Sequence, residues 1–129
     1  MIRSLPFDHY RILITGSRHW DDEQAITDAL LDVARDQDRP LTVVHGGASG
    51  ADNIAGVVAE ELGMNVEVHP ADWDKHGKAA GPIRNQKMVD LGADICLAFP
   101  LPGGRGTKHC MMAASRAGIP VRVLRESDR

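Results

Sequence analysis

The chain has 129 residues, of which 43% are hydrophobic, 26% are charged and only 4% are aromatic. This composition fits one globular domain that buries its own core, and it excludes a coiled coil or a long disordered chain. A formal net charge of −3 disfavours binding driven by contacts with a nucleic-acid backbone. No apolar run approaches the roughly 20 residues of a membrane span. The N-terminus lacks the apolar stretch of a secretory signal and only two cysteines occur, so a cytoplasmic protein is expected.

Short apolar runs alternate along the chain with longer stretches of helical periodicity. The runs are brief and rich in β-branched residues, which predicts strands. They lie at Arg11–Thr15, Leu41–His45, Asn65–His69, Asp94–Phe99 and Pro120–Leu124. Helices are predicted at Asp22–Asp36 with Asp21 as N-cap, at Gly50–Leu62 with Ser49 as N-cap, from Pro82 to Gly92, and from just after Thr107 to Gly118.

The regular alternation of strands and helices predicts an α/β domain with a parallel sheet between two layers of helices. Right-handed crossovers favour a Rossmann-like, doubly wound arrangement of a mostly parallel five-stranded sheet. A single domain is expected over residues 1–129, with its core at about 10–124 and short polar tails. Glycines and reactive side chains concentrate after the predicted strands, at the edge where ligands bind in such sheets.

Three glycine-containing loops follow predicted strands and are suited to holding an anion. In the segment 103–107, glycines let backbone amides approach an anion at the start of a helix, and Thr107 can cap that helix or donate its hydroxyl to a phosphate. The segment 46–50 repeats this design, and Gly16-Ser17-Arg18 adds a cation. A tight turn would explain one Gly-Gly pair, but three such loops at one edge favour a phosphate site.

The connection after the third predicted strand, residues 70–82, is long for a strand-to-helix loop, where about 2–6 residues are usual. It carries Trp73 and Lys78, and Arg84 follows in the next helix. An aromatic ring with nearby cations suits base stacking and phosphate contact. The alternative is a solvated loop with Trp73 packed against the sheet.

Two common nucleotide-binding motifs are absent. No G-x-G-x-x-G follows the first predicted strand, the second predicted strand ends in His45 rather than an acidic residue, and no G-x-x-x-x-G-K-[ST] occurs. A classical nicotinamide dehydrogenase and a P-loop NTPase are therefore disfavoured. The histidines match no zinc-ligand spacing, so no metal and no other cofactor is predicted. Cys96 is expected to be a packed thiol, whereas Cys110 could have a lowered pKa in the first turn of a helix.

Five short motifs follow one another along the chain. They are Gly16-Ser17-Arg18, His45-Gly46-Gly47-Ala48-x-Gly50-Ala51-Asp52, Pro70-Ala71-Asp72-Trp73, Gly77-Lys78-x-Ala80-Gly81-Pro82-x-Arg84-Asn85-x-x-Met88 and Gly103-Gly104-x-Gly106-Thr107. In this order they resemble the YspA-like, cpYpsA-related branch of the SLOG superfamily over roughly residues 10–124. The resemblance implies a Rossmann-like fold and a nucleotide or nucleotide-derived ligand, such as an ADP-ribose- or NAD-related molecule.

The chain also resembles, more distantly, the LOG enzymes of the same superfamily, which cleave the base from nucleoside 5′-monophosphates. Arg84 and Met88 match the arginine helix of those enzymes, and the last glycine loop matches theirs. Cys110 stands where the LOG pattern has a glutamate. A carboxylate stabilises an oxocarbenium-like transition state and a thiol does not, so this departure argues against hydrolysis. Asp52 and Asp72 are the remaining carboxylates at the same edge.

The leading interpretation is a nucleotide-binding protein that acts as a sensor or a sequestering module. The first alternative is a nucleotide N-glycosidic hydrolase, with Arg84, Asp52 and Asp72 as candidate catalytic residues. The second is DprA-like binding of single-stranded DNA, which the acidic balance and the few aromatic residues disfavour.

The expected partner is a nucleotide-type small molecule, with no membrane association, and the largely apolar last predicted helix favours a homodimer. The predicted ligand- and phosphate-binding residues are Gly16, Ser17, Arg18, Gly46, Gly47, Ala48, Ser49, Asp52, Trp73, Lys78, Arg84, Asn85, Gly103, Gly104, Gly106 and Thr107.

Overall fold

The computed structural model describes residues 9–126, so the predicted polar tails lie almost wholly outside the described residues. The described elements are β1 (Tyr10–Gly16), α1 (Glu23–Arg35), β2 (Leu41–His45), α2 (Ala51–Glu61), β3 (Asn65–Val68), α3 (Trp73–His76), a 3₁₀ turn (Gly77–Ala79), α4 (Ala80–Asp90), β4 (Ile95–Phe99), α5 (Arg105–Arg116) and β5 (Val121–Val123). All five predicted strands are present, close to their predicted bounds. None of the helices within residues 9–126 is long and apolar enough to cross a bilayer.

The five strands form one sheet in the order β3-β2-β1-β4-β5, and every neighbouring pair is parallel. The chain runs from the central β1 to one edge, returns to the centre at β4 and ends at the other edge. Strand order therefore reverses between β1 and β4, where Gly16 pairs with Phe99 at the carboxyl ends. This order confirms the predicted Rossmann-like, doubly wound sheet, in which ligands bind outside such a reversal point.

Helices cover both faces of the sheet because alternate residues of each strand point to opposite faces. Ile12 and Ile14 of β1 belong to the core cluster under α1 and α2, whereas Leu13 belongs to the cluster under α4 and α5. Cys96 of β4 lies in the second cluster with no exposed surface, which confirms the predicted packed thiol. The two cores hold the loops at the carboxyl edge of the sheet on rigid supports.

The starts of the first two long helices differ from the prediction. Asp22, not Asp21, caps α1, and its carboxylate accepts a hydrogen bond from the amide of Ala25 at 3.1 Å. Gly50, not Ser49, precedes α2, and no side chain caps that helix. Contact between loops, rather than a capping side chain, therefore sets the start of α2.

Gly50 is required where the loop after β1 touches the start of α2. Its φ is +76°, a conformation that disfavours residues with a side chain. A Cβ at Gly50 would also overlap the backbone of Ser17 and Arg18. The amide of Ala51 donates to the carbonyl of Ser17 at 3.1 Å, which keeps the two loops in contact.

The last two long helices begin earlier than predicted. α4 begins at Ala80 rather than Pro82, and α5 begins at Arg105 rather than after Thr107. Proline has no backbone N–H, and the first-turn amides of a helix have no intrahelical acceptor in any case. Pro82 is therefore tolerated within the first turn of α4. The long connection predicted to be a loop contains α3 and the 3₁₀ turn, and Asp72 is the N-cap of α3.

Candidate functional site

A cavity of about 1060 Å³ opens at the carboxyl edge of the sheet. Its wall includes almost all of the predicted ligand-binding residues: Gly16, Ser17, Arg18, Gly46, Gly47, Ala48, Asp52, Trp73, Lys78, Arg84, Asn85, Gly103, Gly104, Gly106 and Thr107. Two other predicted residues lie off this wall. Ser49 places its hydroxyl 3.5 Å from the carbonyl of Arg18, and the carboxylate of Asp72 accepts from the amide of Lys75 at 3.1 Å.

Arg84 is anchored to the backbone of the two neighbouring loops. Its Nη1 donates to the carbonyl of Gly46 at 2.6 Å and to that of His69 at 3.4 Å, while Nε donates to Oδ1 of Asn85 at 2.9 Å. Within residues 9–126, no acceptor bonds to Nη2. The guanidinium is therefore held in place with one donor edge available to an anion.

Gly46 lets Arg84 approach this closely. A Cβ on Gly46 would overlap the guanidinium of Arg84. Glycine is needed at this position because it has no side chain, and this lets the guanidinium of Arg84 pack against the loop after β2.

Asn85 links the same cation to the last glycine loop. The side chain is 5% exposed, and its Nδ2 donates to the carbonyl of Gly106 at 3.2 Å. The same nitrogen lies 3.5 Å from Nδ1 of His109. Because Asn85 also accepts from Arg84, one chain of hydrogen bonds crosses the cavity wall from the loop after β2 to the start of α5.

The loop after β2 uses its amides internally. Oδ2 of Asp52 accepts from the amides of Gly46 at 3.0 Å and Ala48 at 3.4 Å, and the amide of Gly47 donates to Nδ1 of His45 at 2.9 Å. The predicted phosphate cradle at 46–50 is thus corrected: Gly46, Gly47 and Ala48 line the cavity, but their amides are directed at protein side chains.

Burial alters the pKa of both side chains that hold this loop. It raises the pKa of Asp52 to about 6, although the two backbone hydrogen bonds and the nearby Arg84 favour the charged form. It also lowers the pKa of His45, with a further lowering from Arg84. A neutral His45 is the form that can accept from the amide of Gly47.

The start of α5 is the part of the wall best suited to an anion. The first-turn amides of this 12-residue helix have no intrahelical acceptor. The N-cap is Gly104, which has no side chain to accept from them, so these amides can bind an anion. Thr107 lies in that first turn and is 5% exposed. It therefore lines the cavity from within the helix and does not cap it.

Trp73 lies at the lip of the cavity and is 55% exposed. The alternative in which it packs against the sheet is therefore wrong. Its ring lies close to α4, since a Cβ on Gly81 would be 3.5 Å from the ring edge. Lys78 also lines the cavity, and the exposed ring of Trp73 leaves a flat apolar surface there.

Sequence reasoning missed His19, Arg105 and His109, which also line the cavity. Arg105 stands between two glycines of a loop already singled out, so its position could have revealed it. With Arg18, Lys78 and Arg84 it makes four basic side chains on the wall, against one carboxylate, Asp52, among the described residues. The wall is therefore cationic although the chain as a whole is acidic.

Cys110 is not positioned as a reactive group. It has no exposed surface, and burial raises the pKa of its thiol to about 11, although a hydrogen bond with Thr15 lowers it in part. The expectation of a lowered pKa in the first turn of a helix is therefore wrong, because α5 begins at Arg105 and places Cys110 in its second turn, where desolvation raises the pKa.

Fold and site together define a doubly wound α/β protein with a basic, glycine-lined cavity at the carboxyl edge of its sheet. A model of the YspA, cpYpsA-related SLOG family (YAcAr) matches residues 10–76, just over half of the chain. The Gene 61 protein of Mycobacterium phage D29 is 53% identical over 116 residues, which cover 86% of this chain and 93% of that protein. The chain belongs to the YspA, cpYpsA-related SLOG family.

Solved structures share the fold at low sequence identity. DNA processing protein A (DprA) from Streptococcus pneumoniae aligns with a TM-score of 0.73 and 15% identity, over 89% of this chain and 50% of that chain. The universal stress protein from Archaeoglobus fulgidus, solved in complex with dAMP, aligns with a TM-score of 0.55 and 17% identity, over 89% of this chain and 97% of that chain. These likenesses confirm the Rossmann-like fold, and this chain spans only half of DprA.

Proposed function

We propose that this protein binds a nucleotide or nucleotide-derived ligand, either a nucleoside phosphate or an ADP-ribose- or NAD-related molecule, and acts as a sensor or sequestering module. The observation that carries the proposal is the anchored guanidinium of Arg84, which keeps a donor edge available beside the uncapped start of α5. Two independent groups suited to phosphate thus lie on one wall.

Three further features support a nucleotide over a simple anion. The cavity of about 1060 Å³ is far larger than a phosphate, and exceeds a usual small-molecule pocket of roughly 300–1,000 Å³. Trp73 offers an exposed ring on which a base can stack. Family membership and the dAMP complex of a protein with the same fold agree with a nucleotide ligand.

Calorimetric titration with AMP, ADP, NAD and ADP-ribose tests the proposal. At least one of the four should bind with a dissociation constant in the micromolar range and with one site per chain. Binding should weaken as the salt concentration rises, because charged groups on the wall contact the phosphate. Failure of all four to bind at millimolar concentration would rule the proposal out.

Hydrolysis of a nucleotide N-glycosidic bond is the second candidate, and the position of Asp52 on the cavity wall favours it. The buried thiol of Cys110 cannot supply the missing carboxylate. Loss of a group that stabilises the transition state commonly costs about 10²–10³ in rate. We therefore expect little or no free base after an hour with nucleoside monophosphates. Chromatographic detection of base release at about one turnover per second would favour the hydrolase instead.

A further inference from the structure

Asp52 accepts hydrogen bonds through only one of its two carboxylate oxygens in the described part of the chain. It is 6% exposed, and its Oδ2 accepts from the amides of Gly46 and Ala48. Among the described residues, none donates a hydrogen bond to Oδ1. A deeply buried carboxylate with one unpartnered oxygen costs free energy unless a donor reaches that oxygen.

The residue that carries the unpartnered oxygen lines the cavity. In the described part of the chain, every side-chain nitrogen or oxygen that is fully cut off from solvent has a hydrogen-bond partner. Oδ1 therefore keeps some accessible surface, and Asp52 lines the cavity that we assign to the ligand. A donor that reaches Oδ1 from outside the protein would arrive through this cavity.

The chemistry of the wall restricts what that donor is. A phosphate is an anion at neutral pH and is repelled by a carboxylate, so Asp52 is unsuited to the phosphate of the ligand. Gly46 places the two groups side by side, since its amide donates to Asp52 and its carbonyl accepts from Arg84. A neutral donor attached closely to a phosphate fits this pairing, and a sugar hydroxyl is such a donor.

We infer that Asp52 accepts a hydrogen bond from a ribose hydroxyl of the bound ligand, so that the site selects ribose-bearing phosphates over their deoxy counterparts. This inference rests on the proposed function. It assigns Asp52 to the sugar, while Arg84 and the start of α5 hold the phosphate. The selectivity comes from leaving a buried carboxylate oxygen unpartnered when the hydroxyl is missing.

Asp52→Asn separates this role from a purely structural one. The amide oxygen of asparagine can still accept from Gly46 and Ala48, which turns the amide nitrogen toward the cavity. The variant therefore keeps the loop but replaces the charged acceptor by a neutral amide N–H, so the ligand hydroxyl loses its charge-assisted hydrogen bond to a carboxylate. Asp74→Asn, in the exposed α3, changes the net charge equally and is the matched control.

The experiment titrates wild type, Asp52→Asn and Asp74→Asn with AMP, ADP, their 2′-deoxy and 3′-deoxy analogues, NAD and ADP-ribose. We expect wild type and Asp74→Asn to prefer the ribonucleotide over one deoxy analogue by about tenfold or more. In Asp52→Asn that preference should fall to about twofold or less. NAD and ADP-ribose should lose about tenfold in affinity wherever wild type binds them.

The outcomes distinguish the inference from the proposed function. If ribonucleotides and deoxynucleotides bind wild type equally, or if Asp52→Asn weakens both equally, Asp52 only holds the loop and the inference is overturned while nucleotide binding stands. If Asp52→Asn binds NAD and ADP-ribose as wild type does, the inference is likewise overturned. If no compound binds wild type, the proposed function itself fails, and the inference fails with it.

Discussion

Replacing Arg84 by alanine removes the group on which the proposed phosphate contact depends most. The guanidinium is held by Gly46, His69 and Asn85 through Nη1 and Nε, which leaves Nη2 for the ligand. Because the protein has already fixed this side chain, little conformational entropy is lost when a phosphate binds. Arg84→Ala should therefore lose nearly the full value of a charge-assisted hydrogen bond.

The expected loss is about 1.5–3 kcal/mol of binding free energy, which weakens affinity by about 10- to 150-fold. The free energy of unfolding should change less than the binding free energy. Arg84 is partly exposed, so water can reach the carbonyls of Gly46 and His69 once the side chain is gone. The free energy of unfolding should then fall by about 1 kcal/mol or less.

Calorimetry with the tightest ligand of the nucleotide panel measures the affinity, and urea unfolding measures the stability. Arg35→Ala is the matched control because it removes the same charge from an exposed residue in the last turn of α1, away from the cavity. Arg84→Lys should fall between wild type and Arg84→Ala, since an ammonium keeps the charge but loses the forked geometry. Equal affinities of wild type and Arg84→Ala would refute the phosphate contact.

Three further predictions concern the helix end, the buried carboxylate and assembly. Gly104→Val should fold normally, since the φ of Gly104 is −78° and a Cβ there would be no closer than 3.5 Å to its nearest neighbour. The bulk of the valine should nevertheless block the start of α5 and weaken nucleotide binding by at least about tenfold. Unchanged affinity of the folded variant would exclude an anion at this helix end. Burial raises the pKa of Asp52 from 3.8 to about 6, so the folded state retains a proton that the unfolded chain loses in this window, and stability falls as pH rises through it. Relative to Asp52→Asn, wild type should gain up to about 3 kcal/mol in urea unfolding between pH 7 and pH 4, and a pH-independent difference would contradict this. The α4–α5 side of the sheet carries three exposed apolar side chains, Ile83, Leu91 and Met112, which favour a homodimer. Light scattering at micromolar concentration should therefore give twice the monomer mass of 14.0 kDa. A result equal to the monomer mass would refute the homodimer.

The fold and the meeting of the glycine-containing loops at one cavity could be predicted because both follow from the strands. Short runs rich in β-branched residues favour strands over helices, and strict alternation with helices leaves few topologies for the sheet. Once the sheet is parallel, the loops after its strands must share one edge. That is why residues as distant in sequence as Ser17, Arg84 and Gly104 line one cavity.

Helix starts and the direction of backbone amides could not be predicted because tertiary contacts decide them. Asp21 and Asp22 are equally good caps in sequence, and only packing selects between them. Gly50 begins α2 because the loop after β1 leaves no room for a side chain. The loop 46–50 was expected to hold a phosphate, but its amides turn toward the side chains of Asp52 and His45.

Backbone amide shifts in a nitrogen-15 NMR titration test the central claim most directly, since they report both binding and its place. With AMP and ADP-ribose as probes, the largest shifts should fall on Gly46, on residues 104–107 and on the side-chain amide of Asn85. Amides of α1, none of whose residues lines the cavity, should stay unchanged. The absence of shifts with either probe at millimolar concentration, or shifts confined to residues away from the carboxyl edge of the sheet, would contradict a nucleotide site in this cavity.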